Sequence, residues 1–323
     1  MPSDSNANGP GPTTGRCVGR CRDVVRVLHL SDVHFPLPFT RLELRRLLGK
    51  RALGAANLLL NRSRHFERAG EKLASLAAFA DSTEVDLVIF TGDCTNLGTE
   101  PEFAAARDAI DGLTRAPMGF IPIPGNHDLY LKDSVEGRLF ETYFGDFLSS
   151  DLDELSGSTG WPVVRLISDS IAVIAVNSSR PNPLPWASNG RVPDDQLSAL
   201  GRALNHEKVA DRFVFVITHF APRRMDGTPD LAVHGFDNGE EFLGTCAGLR
   251  RGAILHGHIH RRYYLRVPGV NPSIFNAGSA TYAGREGIWL FEVTADGLRA
   301  FPGRWTGEGY LVDRDAVIQM ACC

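Results

Sequence analysis

Five short apolar runs, each closed by a polar cluster, set the pattern of hydrophobic and polar positions along the chain. Val24 to Leu30 (VVRVLHL) runs into Ser31-Asp32-Val33-His34, and Asp86 to Thr91 (DLVIFT) into Gly92-Asp93. Gly119 to Ile123 (GFIPI) ends in Pro124-Gly125-Asn126-His127-Asp128, Phe213 to Thr218 (FVFVIT) in His219, and Gly252 to Leu255 (GAIL) in His256-Gly257-His258-Ile259-His260. Runs of this length and β-branched content predict buried strands that end in functional loops. Helical spacing fills the intervals at Phe66 to Ala80, Glu102 to Leu113, Glu136 to Phe144 and Asp194 to Leu204, the last opened by Pro193. Strands alternating with helices predict a layered α/β domain with its ligand crevice beyond the carboxyl ends of the strands, where all five polar clusters fall. Later, Tyr263 to Val267, Ser273 to Asn276, Gly287 to Val293 and Leu298 to Trp305 alternate between Gly and Pro turns without intervening helices. They predict a second, antiparallel sheet, and with it a β-sandwich flanked by helices.

The ends of the chain read differently. Residues 1–23 are poor in apolar residues and rich in Gly, Pro, Ser and Asn, which predicts a disordered tail. That segment has no apolar core of the kind a secretory signal needs, and no run of roughly 18 apolar residues predicts a membrane span. The expectation is a cytoplasmic protein with a folded domain over 24–305 and a C-terminal extension over 306–323. A chain of 323 residues buries a substantial core, and a formal charge of -4 supplies no general field for nucleic acid. The six cysteines, Cys322 and Cys323 among them, match neither a disulfide scaffold nor a paired zinc motif.

The polar clusters carry the chemistry. Carboxylate, imidazole and amide oxygen suit a hard-to-borderline divalent metal, and strand ends are rigid places from which to aim them. A lone histidine is more often a core or surface residue than a ligand. Five clusters in the order DxH, GD, GNHD, H and GHxH, each after a strand, are another matter. His29, inside the first strand, and His256 read as buried or supporting residues, and Cys94 as a small buried side chain.

This ordered set resembles the calcineurin-like metallophosphoesterase superfamily, from about Val24 to about Trp305. The resemblance implies a four-layer β-sandwich flanked by helices, with the metal site at the strand C-terminal ends. It also implies two divalent metal ions, manganese first, with iron or zinc as the other candidates. Carried over residue by residue, it puts Asp32, His34, Asp93 and His260 on one metal and Asp93, Asn126, His219 and His258 on the other. Two such cations roughly 3.5–4 Å apart share a hydroxide that attacks phosphorus in line, and no protein nucleophile is required. His127 is cast as the partner of the leaving oxygen, and Asp128 as the carboxylate that orients this loop or His127.

Substrate choice rests on residues 40–66, where Arg41, Arg45, Arg46, Lys50, Arg51, Arg62 and Arg64 interleave with leucines and Glu43 is the single acidic residue. A basic amphipathic helical insertion over the site suits an anionic substrate with an apolar tail or an anionic membrane surface; a helix pair packed on the core with a basic rim fits the pattern equally well. Arg41, Arg45, Lys50, Arg51 and Arg62 are the candidate substrate residues. With Leu48-Gly49-Lys50-Arg51, Leu53-Gly54 and Asn57, the segment resembles the alphaproteobacterial-type UDP-2,3-diacylglucosamine diphosphatases of lipid A synthesis. That resemblance implies pyrophosphate cleavage of a lipid-linked nucleotide, with contact at the cytoplasmic face of the inner membrane. The alternatives are a 3',5'-cyclic-nucleotide phosphodiesterase and a non-catalytic metal-binding scaffold; a nuclease fits the acidic balance poorly.

Overall fold

Side-chain burial on both faces explains why the apolar runs are continuous rather than alternating. In β6 (Phe213–Ile217), Phe213, Phe215 and Ile217 enter a core shared with the opposite sheet, while Val214 and Val216 face a separate cluster beneath helices. A strand covered on both faces carries no polar side. The computed structural model describes residues 24–38, 49–57, 63–182, 184 and 186–321. Within these the chain runs β1 (Val25–Leu30), α1 (Lys50–Asn57), α2 (Ala69–Ser82), β2 (Leu87–Phe90), α3 (Glu100–Ala109) and β3 (Phe120–Pro122). It continues through α4 (Lys132–Glu136), α5 (Leu139–Phe144), β4 (Val163–Ser168), β5 (Ile171–Ala175), α6 (Asp194–Leu204), α7 (Glu207–Ala210), β6, α8 (Gly239–Cys246) and β7 (Gly252–His256). The remaining elements are β8 (Arg262–Leu265), β9 (Ser273–Ala277), β10 (Ile288–Thr294), β11 (Gly297–Trp305), β12 (Tyr310–Val312) and β13 (Ile318–Ala321).

Two sheets face one another. The first has the order β12-β11-β10-β1-β2-β3, with β13 on the other half of β11; the second has the order β4-β5-β6-β7-β9-β8. β1, β2 and β3 are parallel, as are β5, β6, β7 and β9, so every strand that leads into a polar cluster ends on the same edge of the sandwich. Leu73 and Leu76 of α2 and Phe103 and Ala106 of α3 join the first sheet's core, and Leu200 of α6 and Phe242 of α8 cover the second. The four layers are helices, sheet, sheet, helices.

The late strands depart from the expected antiparallel second sheet. β8 and β9 do close the second sheet, but β9 runs parallel to β7, and β10 and β11 cross to the first sheet to pair antiparallel with β1 and with each other. Period-two alternation specifies a strand's faces and leaves its partner open. The reason for the crossing lies in β10, whose sequence Ile288–Val293 is buried throughout and therefore takes a central position rather than an edge. Residues beyond Trp305 are also more than an extension: β12 and β13 cap opposite halves of β11. The predicted helix Glu136 to Phe144 is split into α4 and α5 at Arg138, whose φ of 48° is left-handed. The predicted tail and the extreme Cys322 and Cys323 lie outside the described residues.

Candidate metal centre

Local backbone geometry at the strand ends aims the ligands. Asp32, His34, Asp93, His258 and His260 all hold positive φ, between 42° and 73°. Left-handed conformation is uncommon outside glycine and persists where surrounding structure enforces it. Here the enforcement is visible: Asp32 N donates to Gly92 O at 2.9 Å, His34 N to Asp93 O at 2.9 Å, and His258 N to Asp32 Oδ2 at 3.0 Å. Two of the glycines before ligands are required by close approach. A Cβ on Gly125 would overlap the Asp93 carboxylate, and one on Gly257 would overlap Ser31 Oγ and the Asp32 carboxylate.

The structure brings the seven ligand candidates together. Asp32, His34, Asp93 and His260 offer ligand atoms all within 4.8 Å of one another. Asp93 Oδ2 lies 3.6 Å from His34 Nε2 and 3.5 Å from His219 Nε2, which gives this carboxylate reach to both groups. On the far side, Asn126 Oδ1 is 3.1 Å from His219 Nε2 and 3.0 Å from His258 Nδ1.

Tautomers decide what these short contacts mean. His219 Nδ1 donates to Thr91 O at 2.7 Å, His34 Nδ1 to Thr95 O at 3.0 Å, and His258 Nε2 to His234 O at 2.9 Å. In the neutral ring the opposite nitrogen then carries a lone pair. His219 and His258 therefore present lone pairs to an amide oxygen, an arrangement of acceptors with no donor between them. Asp32 Oδ1, buried and 3.0 Å from His260 Nε2, makes no hydrogen bond. Converging acceptors and an orphaned carboxylate oxygen in a dry site are what a cation would satisfy.

Charge balance gives the same reading. Burial alone would raise the Asp93 carboxyl, but His219, His127 and His34 hold it well below its ordinary value. Asp32 is likewise opposed by burial and held at about 2 by His260 and His219. Burial lowers His219, while Asp93 and Asp32 outweigh it and raise the ring to about 9, so the ring keeps its Nε2 lone pair only where a cation answers the two carboxylates in place of that proton. The two carboxylates thus stay ionised and demand positive charge.

His127 and Asp128 take distinct places. His127 Nδ1 donates to Asn96 O at 2.6 Å, its ring lies edge-on to His34 with centroids 4.8 Å apart, and its backbone N donates to Asp93 Oδ1 at 2.8 Å. Asp128, fully buried, accepts backbone N–H groups of Asp93, Cys94, Thr95 and Gly125, together with Thr95 Oγ1 and the Cys94 thiol. Its carboxylate pins the Asp93 loop to the Asn126 loop, and the His127 ring takes its orientation from Asn96 instead. Burial, with Asp93 nearby, raises Asp128 to about 6. His29 hydrogen-bonds Thr91 Oγ1, and His256 contacts Asn276 and Gly257 O; both are buried away from the ligand set.

A cavity of about 410 Å³ opens over Asn126 and His127, walled by Asn96, Tyr130, Trp186 and His234. Lys50 lines it, donating to Asn182 O at 2.7 Å and Ala187 O at 3.0 Å and sitting 4.9 Å over the Tyr130 ring. Arg51 does not: it is buried, and its guanidinium is engaged by Leu97 O, Gly98 O, Ser134 Oγ and Asp133, so it fastens α1 to the domain. Arg41, Arg45 and Arg62 lie outside the described residues. Trp186, Ser188 and His234 had no sequence signal, because they come from irregular loops; His234 Nδ1 meets Ser188 Oγ at 2.8 Å while its carbonyl holds His258.

Residues 25–262 match the family model described as calcineurin-like phosphoesterase. A curated relative, the probable glycerophosphodiester phosphodiesterase GpdQ of Arcobacter nitrofigilis, is 31% identical over 181 residues, 54% of this chain and 57% of the relative. The match thus spans little more than half the length of that relative. Among solved structures, a dimetal phosphatase from Danio rerio superposes with a TM-score of 0.63 at 12% identity, covering 93% of this chain and 99% of the other. A purple acid phosphatase from yellow lupin seeds gives 0.59 at 10% identity, over 92% and 54%. At these identities the likeness is one of fold.

Proposed function

This chain belongs to the calcineurin-like phosphoesterase family and is a metal-dependent phosphoester hydrolase, and from that premise we propose that its substrate is a small phosphodiester, with a glycerophosphodiester first. The carrying observation is the set of converging acceptors, Asn126 Oδ1, His219 Nε2, His258 Nδ1 and the Asp93 carboxylate, reached from a cavity of about 410 Å³. That volume lies in the range of small-molecule sites, roughly 300–1,000 Å³.

Asp32, His34, Asp93 and His260 would hold one divalent cation, and Asp93, Asn126, His219 and His258 the other. When bound, such a pair brings water towards ionisation near neutral pH and offsets charge on phosphoryl oxygens. The protein's own groups do the remaining work. Thr91, Thr95 and His234 carbonyls keep the ligand rings in one tautomer, and Asp128 keeps two ligand loops in register. His127, with its Nδ1–H committed to Asn96 O, would act as the imidazolium beside Asp93 and pass its Nε2 proton to the departing alcohol oxygen as the P–O bond breaks, the ring then being reprotonated from solvent. Water adds to phosphorus, and the products are a phosphomonoester and an alcohol. Lys50 has three N–H donors, two of them spent on Asn182 and Ala187; the third would be available to the substrate's anionic oxygens.

A specific observation supports a second reading. Leu53 and Trp186, both lining the cavity, are 59% and 64% exposed and give it an apolar rim, and Leu53 belongs to the basic, leucine-rich sequence 40–66. An acylated substrate such as UDP-2,3-diacylglucosamine would place its pyrophosphate inside and its chains along that rim, towards a membrane surface. The test is parallel incubation, with Mn²⁺, of glycerophosphoethanolamine, UDP-2,3-diacylglucosamine and cyclic AMP. Glycerol phosphate release from the first alone supports the leading reading; UMP release from the second alone replaces it with the lipid reading, and AMP from the third alone rejects both.

A further inference from the structure

The parallel strands that carry ligands at one end open onto a second cavity at the other. Phe213 and Gly252 begin β6 and β7, and Ser273 begins β9; all three line a cavity of about 460 Å³. Five-residue strands put this cavity roughly 16 Å from the metal centre. Its walls include Arg250, Arg251 and Arg266, and among the described residues no carboxylate side chain lines it. Several other arginines are paired with acids, as in Arg180–Asp237, Arg223–Glu240 and Arg191–Asp194. Among the described residues, Arg250, Arg251 and Arg266 form no ion pair. Arg251 donates one terminal nitrogen to Ala295 O at 3.1 Å, while its Nε is buried with no partner.

Three guanidinium groups around one concavity repel each other, and a bound anion relieves that repulsion. The guanidinium fork matches the geometry of phosphate and carboxylate oxygens. The apolar surface of the cavity comes from the partly exposed Tyr264 and Met320, while Phe213, Leu249 and Pro272 are buried, and Gln319 and Asn271 add amides. We propose that this cavity is a second ligand site, separate from the metal centre, for a small organic phosphate whose apolar or aromatic body packs on Tyr264 and Met320 while its phosphate is held by Arg250, Arg251 and Arg266. A nucleoside monophosphate is the simplest molecule with both parts.

The probe is AMP, titrated by calorimetry into the full chain after chelator treatment, so that metal at the catalytic end cannot hold phosphate. Saturable binding is expected, weaker by about tenfold for each arginine lost, and weaker again for inorganic phosphate, which lacks the body. Arg250 and Arg266 are exposed, so Arg250→Gln with Arg266→Gln leaves the fold intact, as thermal melting will check. Asp93→Asn, at the other end, should bind AMP as the parent does. The proposal is overturned if the double arginine variant binds AMP like the parent, if Asp93→Asn abolishes binding, or if no saturation occurs up to roughly 10 mM. Equal affinity for inorganic phosphate would remove the apolar wall from the site.

Discussion

The floor and the outer wall of the catalytic cleft are built on opposite principles. On the floor, Asp32, His34, Asp93 and His219 are almost wholly buried, and their backbone, tautomer and charge are each set by a named partner. On the wall, Leu53 and Trp186 are exposed, and Lys50 ties α1 to Asn182 and Ala187 through their carbonyls. A reaction step needs atoms held to a fraction of an ångström, which burial and redundancy supply. Substrate choice needs only a surface of the right shape and charge, and such surfaces sit on loops that change without loss of the fold. The floor is therefore suited to the reaction step, and the wall to the choice of substrate.

That contrast breaks most sharply at Asp93. Asp93→Asn weakens the carboxylate that reaches both ligand groups and is expected to lower turnover of an aryl phosphodiester by about 10³ or more, with metal content reduced by mass spectrometry. Full activity in this variant would detach the floor from the chemistry. His127→Ala comes next, with a loss of about 10²–10⁴ in kcat while metal content stays at the parent level. Equal losses of metal and activity would make His127 a ligand support and no proton donor. On the wall, Trp186→Ala should raise KM by about tenfold at unchanged kcat, the signature of binding that is uniform through the reaction. A kcat effect as large as that of His127 would erase the division between floor and wall.

The smallest effect concerns pH and the strand beneath the floor. Burial, reinforced by His256 and only partly offset by Asp32, lowers His29 from 6.5 to about 3. Between those values the unfolded chain takes up a proton that the native state refuses, so stability falls as pH drops from 6.5 towards 3. His29→Gln, which keeps a partner for Thr91 Oγ1, should flatten this part of the melting-temperature profile; an identical slope in both proteins would remove His29 from the account.

The same contrast explains what could be read from sequence. Asp32, Asp93 and His219 were legible because each follows an uninterrupted buried run, and a strand of that kind delivers its next residue to a predictable edge. The layered α/β class followed from strands alternating with helices, and its four-layer form from the family resemblance. Partner choice for β9 and β10 was not legible, since alternation describes faces and the pairing is settled by which strand is buried on both sides. Nor were Asn96, Trp186 and His234, whose positions depend on loop closure across residues far apart in the chain. The basic segment yielded one residue on each side of the contrast: Lys50 lines the cleft, and its neighbour Arg51 turns into a buried network. Helical neighbours point about 100° apart, so a run of basic residues cannot specify which of them meets substrate.

The central claim is a pair of cations sharing Asp93. Chelator-stripped protein, titrated with Mn²⁺ while hydrolysis of an aryl phosphodiester is followed, should remain inactive without metal and reach full rate only as a second equivalent binds. Full rate at one equivalent, or turnover in the stripped protein, would contradict it.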